Sequence, residues 1–177
     1  MTIKRAVCML KLLTPDLHVE SVFRLDLKKL KENNIKGLII DIDNTLVSWD
    51  IKYVTEKTKQ WLLNLERKGF KVCLVSNNTK DRVVVFNEEL KLPAIHRALK
   101  PRIGAFKKAM KITGTTVKNT AVIGDQIFTD VLGGNRIGLF TILVIPIVGK
   151  EFWWTTFIRK IERHILKIVL RDNKGDI

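Results

Sequence analysis

Asp41 and Asp43 lie two positions apart at the end of an apolar run, LIIDIDNTLV over residues 38–47. Side chains on a strand alternate between faces, so this spacing sends both carboxylates to the same side. Two carboxylates held together repel unless a cation or a shared proton compensates. A third carboxylate, Asp125 in GDQIFTD (124–130), ends a second apolar run and can give another oxygen to a hard cation. Mg²⁺ is such a cation: it takes few protein carboxylates and completes its shell with water and substrate phosphate. Ser76-Asn77-Asn78 ends a third run, and Lys100 sits in LKP (99–101). Taken singly, each has an ordinary reading: a carboxylate after an apolar run is often a cap or turn residue, and Lys100 can be a solvated lysine. Their shared place at strand ends makes them one candidate site, since ligands of a doubly wound sheet bind there.

The elements that must position these residues alternate along the chain. GLIIDI, FKVCLVS, TAVIGD and GLFTILVIPIV are apolar runs that suit strands covered on both faces. TEKTKQWLLNLERK (55–68) reads as a helix with Gly69 as its stop, and NTKDRVVVFNEEL as a second. A third is expected from Pro101 to Met110, a short one near Thr129 to Leu132 stopped by Gly133-Gly134, and a short strand in PAIHRA. Thr14-Pro15-Asp16 resembles a helix start, giving an N-terminal helical segment over about 14–34 that ends at Asn33-Asn34. The pattern predicts an α/β fold, a doubly wound, Rossmann-like, mostly parallel sheet with flanking helices, with its core over about 36–148 of a single 1–177 domain.

Bulk composition agrees with a globular chain: 177 residues, 46% hydrophobic and 28% charged. Its formal net charge of +14 favours anionic partners such as nucleic acid, a phosphorylated substrate or an acidic membrane surface. Two cysteines, Cys8 and Cys73, are too few for a disulfide framework, and Cys73 reads as a buried apolar residue in a reducing compartment. No run is long enough to span a bilayer. MTIKRAVCMLKLL lacks a signal-peptide core and is expected to be a mature segment that can touch apolar material.

DIDNT, SNN, LKP and GDQIFTD, in this order, resemble the motifs of the haloacid dehalogenase (HAD) superfamily, most of whose members are phosphohydrolases. The resemblance implies that Asp41 attacks phosphorus and that Asp43 protonates the leaving group and then activates water. It implies phosphate binding by Ser76 and Lys100 and by backbone N–H groups near Asn44 and Asn77. It places Mg²⁺ on Asp41, Asp125 and the backbone carbonyl of Asp43. Thr45 and Asp130 are expected to support these groups, Asp130 by orienting Lys100 or a metal-bound water. Neither the Asp43–Ser76 gap nor the Ser76–Lys100 gap can hold a cap domain, so the site is expected to be open. NNIKGLIIDIDNTLVSWD with the preceding LTPD looks like the YqeG-type group of class IIIA phosphatases, which includes phosphatidylglycerophosphatases. That closer resemblance implies dephosphorylation of phosphatidylglycerophosphate to phosphatidylglycerol, the precursor of cardiolipin, with an anionic phospholipid substrate and a membrane surface as partners.

EFWWTTFIRKIERHILKIVLRDNK bears on the same point. On a helical wheel Trp154, Phe157, Ile158, Ile161, Ile165 and Ile168 share one face, with Arg159, Lys160, Arg163, Lys167 and Arg171 opposite. A basic amphipathic helix over about 151–171 fits a membrane surface, and equally fits packing on its own domain. Trp49 and Tyr53 after the first motif either line the site, contact lipid or pack internally. The expected location is cytoplasmic and peripheral to the membrane, on the matrix face in a mitochondrion. Two other readings stand beside this one: a soluble HAD phosphatase acting on a nucleotide, sugar phosphate or nucleic-acid end, and a basic RNA- or ribosome-binding module. The lack of an RNA-binding motif and the few aromatics for stacking weigh against nucleic acid.

Overall fold

The computed structural model describes residues 10–147. The expected C-terminal helix at 151–171 and residues 1–9, Cys8 included, lie outside them. Six strands form one sheet: β1 (Leu17–Val19), β2 (Gly37–Ile40), β3 (Lys71–Val75), β4 (Ala94–Ile95), β5 (Thr120–Gly124) and β6 (Phe140–Val144). Their spatial order is β1-β6-β5-β2-β3-β4, and every pair is parallel. The chain moves outward from β2 through β3 to β4, then crosses back to β5 and β6. The order therefore reverses beside β2, and ligands of such sheets bind at the carboxyl ends of strands at that switch point.

Alternate residues of the strands feed two cores. Leu38, Ile40, Val72, Leu74, Ala121 and Ile123 pack on one face with Leu62 and Leu65 of α2 (Glu56–Arg67) and Val83 and Phe86 of α3 (Lys80–Asn87). Ile39, Cys73, Val75 and Val122 pack on the other with Phe106, Ala109 and Met110 of α4 (Gly104–Thr113). Both faces are covered, which is why the strands read as unbroken apolar runs. Thr55 caps α2 by accepting the Thr58 N–H, and Gly69 follows α2 at φ +82°. Cys73 is buried, and its thiol is pushed up to about 12 by desolvation, which leaves it unreactive.

Three sequence expectations change. Thr14-Pro15-Asp16 starts a strand, β1, and not a helix; the helix of that segment, α1 (Leu27–Glu32), is short and begins later, at Asp26, which caps the Lys28 and Lys29 N–H groups. The Asp16 carboxylate accepts the Thr141 N–H at 2.7 Å and its hydroxyl at 3.0 Å, and so fastens the edge strand to β6. α4 begins at Gly104, three residues later than expected, after a turn closed by the Arg102 N–H on the Leu99 carbonyl. Gly133 and Gly134 do not stop a helix but lie inside one, α5 (Leu132–Asn135). A Cβ on Gly133 would sit 2.5 Å from the Phe106 ring, and one on Gly134 2.5 Å from Val122. Gly133 thus lets the helix lie close against α4, and Gly134 lets it lie close against the sheet.

Candidate active site

β2 ends at Ile40, and the Asp41 N–H still bonds the Ile123 carbonyl of β5 at 2.9 Å. Asp41 is therefore fixed by the sheet ladder itself. From β5, Gly124 leads directly to Asp125, and a π turn over Ile127–Val131 brings back Asp130. A Cβ on Gly124 would lie 2.2 Å from the Asp130 carboxyl carbon, so this glycine is what admits that side chain. Asp41, Asp125 and Asp130 are all buried, and each offers an oxygen within 4.8 Å of the others. Lys100 enters from the β4–α4 connection, and its Nζ donates to Asp41 Oδ1 and Asp130 Oδ1, each at 2.6 Å. Thr45 Oγ1 lies 3.1 Å from Asp41 Oδ2 and 3.3 Å from Asp125 Oδ1, a single hydroxyl proton facing two carboxylates.

The electrostatics of this floor follow from its burial. Desolvation pushes the Asp41 carboxyl up to about 6, against the opposing pull of Lys100. Desolvation, then the charges of Asp41 and Asp130, pushes Asp125 up to about 8. Burial alone would favour a neutral Lys100 amine, but Asp130 and Asp41 hold it above the ordinary lysine value. Three carboxylates against one ammonium leave two negative charges unbalanced when all are ionised. This all-oxygen donor set fits a hard divalent cation.

Asp43 belongs to a different neighbourhood. Its carboxylate accepts Arg82 Nε at 3.1 Å and Nη2 at 2.8 Å, Asn78 Nδ2 at 3.2 Å and, at the 3.5 Å limit, Ser76 Oγ. Arg82 also donates to the Lys52 carbonyl at 2.8 Å and lies over the Phe86 ring. Thr79 caps α3 through the Arg82 N–H, so the first helical turn aims this arginine at the carboxyl edge of the sheet. Sequence reading missed Arg82, which stands 39 positions from Asp43. The available signal was its place in the first turn of a helix starting just after Ser76-Asn77-Asn78.

Asp41, Asp43, Ser76, Asn77 and Lys100 line one pocket, joined by Asn78, Gln126 and Thr129. Asn77 acts through its carboxamide: Oδ1 accepts the Lys100 N–H at 2.7 Å and Nδ2 donates to the Lys100 carbonyl at 3.2 Å. That pair of hydrogen bonds to the backbone fixes the loop carrying Lys100. The Ser76 hydroxyl accepts the Asn78 N–H at 3.0 Å. Asn44 departs from expectation. At φ +61° it forms a turn whose N–H donates to the Val47 carbonyl at 2.7 Å, so that N–H is already engaged and not directed at a phosphate. Its Oδ1 accepts the Trp49 N–H at 3.3 Å, and the residue holds the loop in shape. Asp130 accepts from Lys100 and also joins the carboxylate cluster.

The sheet is shared with the HAD superfamily (subfamily III A) hydrolase of Legionella pneumophila, at a TM-score of 0.50 and 18% identity over 80% of this chain and 73% of that one. With the fold, the ordered motifs and the relatives below, the chain is defined as a HAD-type phosphatase. It is 44% identical to "Probable phosphatase YqeG" of Bacillus subtilis (strain 168) over 94% of this chain and 96% of that one. The chain belongs to the family described as mitochondrial PGP phosphatase, whose model matches residues 1–148. It is also 25% identical to phosphatidylglycerophosphate phosphatase 1, chloroplastic/mitochondrial, of Arabidopsis thaliana, over 89% of this chain but 48% of that one, about half its length.

Proposed function

We propose that the chain is a Mg²⁺-dependent phosphomonoester hydrolase that removes the terminal phosphate of phosphatidylglycerophosphate at a membrane surface, through an aspartyl-phosphate. The observation that carries this reading is the Asp41–Lys100 contact of 2.6 Å at the floor of an uncapped pocket, in a chain of this family. Between Asp43 and Ser76 the chain holds a loop, α2 and β3, and between Ser76 and Lys100 only α3 and the two-residue β4. A phosphate on a bulky lipid can reach such a site.

Asp41 attacks phosphorus as a carboxylate, a bond forms from its oxygen, and the bond from phosphorus to the lipid oxygen breaks. Asp43 gives the departing oxygen a proton. It then takes one from the water that attacks the same phosphorus, which frees Asp41 and releases phosphate. Lys100 neutralises charge between Asp41 and the phosphoryl oxygens, and the Ser76 hydroxyl donates to them. Asp41, Asp125 and the Asp43 carbonyl would hold Mg²⁺, with Asp130 beside them bound to Lys100. When bound, that ion supplies positive charge against the repulsion between carboxylate and phosphate. Arg82 keeps Asp43 at the pocket wall. The membrane concerned is the cytoplasmic face, or the matrix face in a mitochondrion.

The test is phosphate release by purified protein with Mg²⁺, comparing phosphatidylglycerophosphate in mixed micelles with soluble sugar phosphates and nucleotides. The reading expects the lipid to be the better substrate. Good turnover of a soluble ester beside no turnover of the lipid would transfer the site to a soluble phosphatase.

A further inference from the structure

Eight large apolar side chains stay exposed among the described residues, and five of them cluster by sequence around the pocket: Trp49, Ile51, Tyr53, Leu99 and Phe128. Trp49, Ile51 and Tyr53 lie on the loop after Asp43. That loop is tied to the site by the Trp49 N–H on Asn44 and by the Lys52 carbonyl on Arg82, which itself holds Asp43. Leu99 immediately precedes Lys100, and Phe128 falls between the pocket residues Gln126 and Thr129. The other three, Val84, Ile112 and Val117, are scattered over helix and turn surfaces, as single exposed apolar residues commonly are. The contrast with Trp61 is direct. That indole packs edge-on to Phe23 with ring centroids 6.0 Å apart, whereas Trp49 is 64% and Tyr53 61% exposed.

We propose that this rim is a membrane-docking surface, which seats the mouth of the pocket on an anionic bilayer so that a headgroup phosphate enters while the acyl chains stay in lipid. The proposal rests on the lipid-phosphatase reading and locates its membrane contact on the catalytic loops. Indole and phenol rings have an apolar body and a polar tip, and they suit the boundary between headgroups and hydrocarbon. The charge on these loops matches an anionic surface. Lys52, Arg97 and Arg102 are exposed there against the exposed acid Asp50, and Lys80 and Asp81 are exposed beside them in the first turn of α3. A site serving small soluble esters gains nothing from a tryptophan and a tyrosine turned out to water beside it.

The test uses the full chain and a Trp49→Ser/Tyr53→Ser double variant, with vesicles of phosphatidylcholine alone or mixed with phosphatidylglycerol. Only the side chains change, because the Trp49 bond to Asn44 is made by its backbone. The variant should bind the anionic vesicles about tenfold or more less tightly, as expected for losing two buried aromatic groups, with turnover of p-nitrophenyl phosphate unchanged. Brominated lipids should quench wild-type fluorescence more than that of Trp49→Phe. Equal vesicle binding with equal quenching overturns the proposal. So does a wild-type dimer that the double variant dissolves without losing vesicle binding, which would give the rim to a second copy of the chain. If wild type and variant hydrolyse phosphatidylglycerophosphate in vesicles equally well, the rim proposal falls and the lipid reading stands. If wild type binds vesicles through the rim but leaves that lipid intact in micelles, docking stands and the substrate reading falls.

Discussion

The floor and the wall of the pocket hold aspartates two residues apart in sequence, yet they are built on different physics. The floor is Asp41, Asp125, Asp130 and Lys100: buried, its first two carboxylates set at the ends of adjacent central strands, and short of positive charge. The wall is Asp43 with Arg82, Asn78 and Ser76: half-buried, set by loops and the first turn of α3, and balanced by its own guanidinium. A floor of this kind concentrates uncompensated charge where a cation and a phosphate are to meet. The wall holds its carboxylate in place with the Arg82 guanidinium and needs no metal ion to do so. One strand end thus presents two aspartates suited to different roles, and the difference comes from what each meets across the pocket.

Substitutions can break that contrast, beginning with the largest effect. Asp41→Asn should reduce turnover by on the order of 10⁴-fold or more, as for removal of a nucleophile, measured by phosphate release. Asp43→Asn should cost about 10²–10⁴-fold in kcat, the usual range for lost acid–base catalysis, with folding stability nearly unchanged. Lys100→Met should lower turnover by roughly 10²–10³-fold. It should also destabilise the metal-free protein by about 3–5 kcal/mol, since it strands two buried carboxylates; urea unfolding measures this. Arg82→Gln should reduce kcat by about 10- to 100-fold, the worth of one charge-assisted pair, with little loss of stability. Equal stability losses for Lys100→Met and Arg82→Gln would erase the distinction between floor and wall.

The smallest effect concerns pH. Asp125 rises from 3.8 to about 8 on folding and Asp41 from 3.8 to about 6, both chiefly through burial. The folded metal-free chain therefore binds protons more tightly than the unfolded one. Its stability from these groups is greatest below about pH 4 and declines as pH rises towards about 8. Lys100 stays protonated across that window and adds no slope there. Mg²⁺ competes with those protons, so its stabilising effect should be larger near pH 8 than near pH 5. Thermal melts with and without Mg²⁺ at the two pH values check the sign.

The carboxylates of the floor were legible because strand ends and period-two alternation are local signals, and Asp41 and Asp125 each follow an apolar run, whereas Lys100 was placed through the LKP motif of the family resemblance. The two-core sheet was legible for the same reason. The wall was not. The Arg82–Asp43 pair joins a helix to a loop over 39 positions, and no spacing rule links them. The carboxamide of Asn77 clamps the Lys100 backbone, a role no local pattern announces, and the N–H of Asn44, expected near a phosphate, closes a turn instead. Asp16 looked like a helix start because Thr-Pro-Asp favours one, and its bonds to Thr141, 125 residues away, made a strand instead. The glycine pair at 133–134 reads as a stop until Phe106 and Val122 are seen against it.

The most direct measurement is a rapid acid quench of the protein with Mg²⁺ and phosphatidylglycerophosphate labelled in its terminal phosphate. The account predicts label bound to the chain through a hydroxylamine-sensitive acyl phosphate, lost in Asp41→Asn together with phosphate release. Lipid hydrolysis that persists in Asp41→Asn, with no label on the wild-type chain at any time, would contradict it.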